Sequence, residues 1–320
     1  MSSDTKLPAC SCRRPPVRQQ GQRIRVGNAP CSWGVLEFDL DGQAAGADQV
    51  LWEMDSAGFE GTELGDWGFM PTDPDALRAL LGKHDLDLLG AFVPVALADQ
   101  GAHEAGVAEA LKVARLLAAI NDEAFIVLAD DNGSVPDRVK NAGRIRPEQG
   151  LSQAQWATFG RGAEAVARAV CEQTDLRTVF HHHCAGFVET PAEVAALMQH
   201  TSAELLGLCL DMGHYAFGGG DPMQALEAFG DRCWHIHYKD FDAQVGRQAA
   251  AQGWDYFEAV RQGVFCELGG GAVDFEAITG ELRRTGHGGW IIVEQDVLPG
   301  MGSPFESARR NRAFLRGLEL

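Results

Sequence analysis

Eight short apolar runs, each ending in polar residues and each followed by a longer stretch of helical periodicity, limit this chain's fold more than any other feature. The runs lie at 24–29, 61–65, 86–93, 124–129, 177–183, 206–210, 233–238 and 290–293. The helical patterns lie at 48–57, 74–83, 104–120, 152–172, 190–198, 222–229, 275–285 and 303–315. Such alternation predicts an α/β fold whose parallel strands close into a (β/α)₈ barrel. An open doubly wound sheet is the alternative. No G-x-G-x-x-G follows the first run, however, and polar residues gather at the ends of many runs, not at one switch point. Asp73, Ser152 and Asp274 suit helix starts, and Pro191 suits a first turn. Gly58, Gly82 and Gly286 suit the left-handed residue that ends a helix.

No linker interrupts 23–320, so one domain is expected there. Residues 1–22 are polar, hold Pro and Arg, and lack an apolar core, which predicts a disordered tail and not a secretory signal. The polar segment 130–149 reads as a lid or rim element. Gly218–Gly220 and Gly269–Gly271 read as tight loops near the mouth, and neither has the lysine context of a phosphate-binding P-loop. The formal charge of −18 excludes a phosphate-gripping, nucleic-acid-binding surface and disfavours anionic membranes. No apolar stretch approaches the roughly 18 residues of a spanning helix. A cytoplasmic protein handling a small molecule is the expectation. Of the eight cysteines, Cys10 and Cys12 lie in the tail, and the dispersed remainder read as free thiols in a reducing compartment.

Barrel enzymes build their sites from the C-terminal ends of strands. This sequence places Glu63 at the second end, His181, His182 and His183 at the fifth with Glu189 after them, Asp211 and His214 at the sixth, His235, His237 and Lys239 at the seventh, and Glu294 at the eighth. Side chains alternate along a strand. His181 and His183 therefore share a face opposite His182. His235, His237 and Lys239 share another, with Trp234, Ile236 and Tyr238 toward the helices. His183, Asp211, His237 and Glu294 are thus expected to converge with Glu63. Inward charges of this kind need a partner, and a mixed oxygen and nitrogen donor set suits one divalent cation: Mn²⁺ first, with Co²⁺, Mg²⁺ or Zn²⁺ as alternatives.

The segments Glu63-Leu64-Gly65, His181-His182-His183 with Glu189-Thr190, Leu210-Asp211-Met212-Gly213-His214, His235 through Asp240, and Val293-Glu294-Gln295-Asp296 resemble the xylose-isomerase-like TIM-barrel superfamily. Together with Gly27 through Gly34 and Phe265 through Gly271, they are most similar to its inosose dehydratase branch. The resemblance implies one divalent metal held by Asp211, His237 and Glu294, with Glu189 or His183 supplying the fifth strand's ligand. Glu189 is favoured there, because a further carboxylate better neutralises a dication. It also implies proton abstraction beside a ketone of a sugar or cyclitol, followed by loss of water. Lys239, with its pKa lowered by the cation, Glu294, Glu63 and His214 are the candidate acids and bases. Trp33, Trp67, His181, His183 and His235 are the candidate substrate contacts. A keto-sugar epimerase or isomerase using the same metal is the alternative, and a non-catalytic sugar-binding barrel the alternative of another class. Members of the superfamily are often dimers or tetramers, so a homo-oligomer is among its implications. Its DNA-repair members are set aside by the charge of −18.

Overall fold

The computed structural model describes residues 23–34, 45–298 and 300–320. The expected tail, 1–22, lies outside the described residues. The barrel strands are β1 (Ile24–Asn28), β2 (Gly61–Glu63), β3 (Asp87–Val95), β4 (Phe125–Asp130), β5 (Arg177–His181), β6 (Leu206–Asp211), β7 (Cys233–Tyr238) and β10 (Gly289–Val293). They close in the order β1-β10-β7-β6-β5-β4-β3-β2, with parallel pairing throughout. The eight apolar runs are therefore the eight barrel strands. The fifth is shorter than expected and stops at His181.

Local chemistry sets the helices. Asp73 caps Pro74–Lys83 by accepting the Ala76 N–H. Ser152 and Gln155 form a capping box on Gln153–Thr174, and Thr190 and Glu193 form another on Pro191–His200. Gly58 and Gly286 adopt φ of 95° and 72°, as expected of helix-ending glycines. Gly82 departs from that expectation and lies within its helix, which His84 ends.

A stretch the apolar periodicity did not show is inserted after β7. A two-stranded antiparallel ribbon, β8 (Asp240–Phe241) with β9 (Phe265–Cys266), brackets the helices Ala243–Gln252 and Tyr256–Arg261. Ala249, Tyr256, Ala259, Val260 and Phe265 pack a small second core with Cys184, Ala185 and Phe217 beside the mouth.

Both glycine-rich loops consume their own amides. The Asp240 carboxylate accepts N–H groups from Phe241, Gly269, Gly271 and Val273 at 2.8–3.2 Å. Gly218, Gly219 and Gly220 donate to carbonyls of the preceding helix, Met212–Phe217. The segment 130–149 carries the helix Pro136–Asn141 and is anchored: buried Arg138 pairs with both Glu193 oxygens at 2.7 and 2.9 Å. Cys31, Cys184, Cys209, Cys233 and Cys266 are free thiols, whereas Cys171 is disulfide-bonded, against expectation.

One side chain faces the opposite way from its alternation. Pairing of β6 with β7 shifts register between Leu208 and Cys209, making Trp234 the extra residue of a bulge. Trp234 therefore turns inward against Phe125, Val127, Val179 and Cys209 and fills the barrel's lower interior. Gly207 makes the room, since a Cβ there would lie 2.3 Å from the indole. Ile236 and Tyr238 face the helices as expected. Trp234→Ala should cost about 3–5 kcal/mol of unfolding free energy, measured by chemical denaturation. A loss below about 1 kcal/mol would contradict this interior placement.

Candidate active site

The inward side chains at the ends of β5, β6 and β7 and just beyond β10 meet at the barrel mouth. One donor atom each from His181, Asp211, His237 and Glu294 lies within 4.8 Å of all the others. His181 Nε2 stands 3.8 Å from Asp211 Oδ2, and His237 Nδ1 stands 3.9 Å from that same oxygen and 3.2 Å from Glu294 Oε1. Three of the four are buried, and Glu294, 12% exposed, opens toward the mouth. Both ring nitrogens of His181 and Oδ2 of Asp211 are buried without a hydrogen-bond partner, and His237 Nδ1 faces carboxylate oxygens of Glu294 and Asp211. The other Asp211 oxygen accepts the His214 N–H at 2.7 Å, so Asp211 also caps the helix Met212–Phe217 and is fixed in orientation.

The structure brings His181 into this group, and neither of the two residues expected from the fifth strand. Glu189 is fully buried, and its carboxylate accepts N–H groups from Gly143 at 2.7 Å and Ala185 at 2.8 Å. It ties the 130–149 segment to the loop after β5. Burial pushes its carboxyl up to about 7, despite those donors. His183 lies beyond the strand end, where parity no longer governs direction. Its ring sits 3.9 Å from that of His214, and its Nε2 lies 3.4 Å from the Tyr256 hydroxyl. His182 faces away, accepting the Asp211 N–H on Nε2.

Beneath the group, Glu63 Oε1 receives His235 Nε2 at 2.7 Å and His237 Nε2 at 3.1 Å. Burial alone would raise the Glu63 carboxyl, but His237 and His235 hold it down at about 2. Burial, reinforced by His237, drops His181 to about 3 and keeps its ring neutral. Two further triads share His237: His181 with Cys209, and Glu63 with His235.

Lys239 lies at the edge of the group, 3.3 Å from Glu294 Oε2, 3.3 Å from Asp296 Oδ1 and 3.4 Å from His214 Nε2. Burial would lower its ammonium, but Asp296, Glu294 and Asp211 raise it well above the ordinary lysine value. Three carboxylates thus surround Lys239 and favour its charged form. Asp296 was not among the expected residues. It sits two positions beyond Glu294 and, like Glu294, past the end of β10, where alternation is no guide. Cys31 was also missed; burial and nearby Glu294 push its thiol well above the usual range.

The two tryptophans differ in role. Trp33 is buried and donates from Nε1 to Glu53 Oε2 at 2.6 Å, a scaffold contact. Trp67 is 40% exposed, with Lys112 Nζ 4.2 Å above its ring. It borders a cavity of about 250 Å³ lined also by Asp66, Phe92 and Pro94. Phe92, on the wall of that cavity, meets His181 edge-on at 6.1 Å.

Residues 53–318 match the model of the xylose isomerase-like TIM barrel family, and the chain belongs to that family. It is an enzyme, not a non-catalytic binding barrel. Among its relatives, an inosose dehydratase of Geobacillus kaustophilus is 30% identical over 91% of this chain and 94% of its own length. The rhizopine catabolism protein MocC of Rhizobium meliloti is 32% identical over 89% and 86% of the two chains. A probable 3-DHS dehydratase of Bacillus anthracis superposes with a TM-score of 0.67 at 14% identity, covering 92% of this chain and 99% of that one. Among the described residues, no helix is long and apolar enough to cross a membrane.

The Glu189 carboxyl gives a pH signature. Its folded value of about 7 stands above the ordinary 4.5, so the folded protein holds a proton the unfolded chain has lost between those values. Stability therefore falls as pH rises from about 4.5 to about 7. Glu189→Gln should remove a part of this fall amounting to about 2–3 kcal/mol, read from urea midpoints at pH 5 and pH 8. Identical slopes for the two proteins would contradict the assignment.

Proposed function

We propose that this enzyme is a divalent-metal-dependent dehydratase of a keto-cyclitol or closely related keto-sugar. The observation that carries the reading is the convergence of buried, unpartnered donor atoms on His181 and Asp211 beside His237 and Glu294. An unanswered buried polar group is costly, and two imidazoles with two carboxylates form a donor set that fits Mn²⁺, Co²⁺ or Zn²⁺. His181, Asp211, His237 and Glu294 would hold the ion. Bound there, it supplies Lewis-acid polarisation of the substrate carbonyl, which acidifies the adjacent C–H. The inosose dehydratase and 3-DHS dehydratase relatives support water loss from a cyclic ketone as the reaction.

The chain's own residues then divide the proton work. The Asp296 carboxylate takes the α-proton, and Lys239 Nζ delivers a proton to the departing β-hydroxyl, which leaves as water. The 3.3 Å contact between Asp296 Oδ1 and Lys239 Nζ returns the proton and restores both groups. Asp296 and Lys239 are 7% and 2% exposed, so the exchange takes place largely shielded from bulk water. His214 Nε2 stands 3.4 Å from the Lys239 nitrogen.

Incubation of manganese-loaded protein with 2-keto-myo-inositol should produce growing enedione absorbance. Asp211→Asn should abolish it, and Lys239→Met should lower kcat about 10²–10⁴-fold. A flat trace accompanied by exchange of substrate protons in D₂O would contradict the dehydratase reading and support an epimerase.

A further inference from the structure

Glu63 and His235 lie below the donor cluster, away from the mouth, and meet it through His237; the reaction outlined above leaves Glu63 without a task. Glu63 is 4% exposed, and Oε1 is the oxygen engaged by both imidazoles. An ionised carboxylate only accepts hydrogen bonds, so both Nε2 atoms facing it carry protons. A histidine ligates a metal in its neutral form, and with Nε2 protonated that form of His237 has its lone pair on Nδ1, the atom that faces Asp211 Oδ2 and Glu294 Oε1.

The backbone is arranged for this contact. Pairing between β2 and β3 shifts register between Thr62 and Glu63, a local irregularity of the kind that re-aims a side chain. Gly90 is the residue of β3 that pairs opposite Glu63. The second donor, His235, is steadied by the Phe125 ring at 5.3 Å. Glu63 on β2 is therefore held by two donors from β7, with its shared oxygen aimed at the far nitrogen of a cluster imidazole.

We infer that Glu63 is a positioning residue for the metal centre and not an acid or base: it fixes the tautomer and ring plane of His237, with His235 as the second clamp. The inference rests on the metal site proposed above. A ligating histidine whose far N–H meets a carboxylate binds its ion more tightly, and loss of such a partner typically weakens binding 10–100-fold.

Co²⁺ binding to the full chain tests this, with affinity measured by competition against a chromogenic chelator and ligand geometry by d–d absorption. Wild type should bind one Co²⁺. Glu63→Ala should still bind one, about 10–100-fold more weakly, with a shifted absorption band. Glu63→Gln, which keeps an acceptor oxygen, should recover part of the affinity. Far-UV circular dichroism of the metal-free variants checks folding, and if Glu63→Ala is unfolded, Glu63→Gln and His235→Phe carry the comparison. Folded variants with wild-type affinity and spectrum, while Asp211→Asn loses Co²⁺, would overturn the inference and leave the metal site standing. Two ions in wild type and one in Glu63→Ala would overturn it differently, making Glu63, His235 and His237 ligands of a second ion. Failure of wild type itself to bind Co²⁺ would overturn the metal site and this inference together.

Discussion

A carboxylate oxygen of Asp211 and both ring nitrogens of His181 are buried at one end of this barrel without a hydrogen-bond partner, beside a His237 Nδ1 that faces only carboxylate oxygens. Groups of that kind cost free energy wherever water cannot reach them, and folded proteins nearly always pair them. Here the surroundings maintain the exposure of these atoms to one another. Asp211 spends one oxygen on a helix cap and turns the other inward. His237 has its far nitrogen engaged by Glu63. His181 ends its strand against Phe92 and His237. Each element near the mouth thus fixes a donor atom while leaving its lone pair available, which is the arrangement a cation requires.

The rest of the barrel supplies rigidity to that arrangement. Trp234 plugs the interior below it, with Gly207 cut away to receive the indole. Glu189 and the Arg138–Glu193 pair pin the 130–149 segment to the loop after β5. Asp240 gathers four backbone amides and locks the ribbon beside the mouth. Of these, Arg138–Glu193 is a buried charge pair in which removing one member would strand the other, and the two carboxyls fix loops through backbone amides.

The strand and helix order was readable from residue pattern because apolar periodicity follows directly from which face each element buries. Asp211, His237 and Glu294 were readable by position, since they stand at or just beyond strand ends. The fifth strand was harder. Parity allowed His181 or His183 inward, and only the point at which β5 stops, His181, decides between them. Glu189 looked suitable on charge, but its oxygens are already taken by two amides that no pattern reveals. Trp234 was misplaced because a single-residue bulge inverts local parity without a sequence mark. Asp296 lies past the end of β10, where alternation gives no direction. The ribbon β8–β9 has two residues per strand, too few for any periodicity to register.

The central claim is that His181, Asp211, His237 and Glu294 share one divalent ion. Anomalous diffraction at the manganese edge, from crystals of the protein grown with Mn²⁺, tests it most directly. The account predicts one strong peak in contact with those four side chains and none beside Glu189. A peak at Glu189 or His183 in its place, or an empty cluster in crystals saturated with manganese, would contradict it.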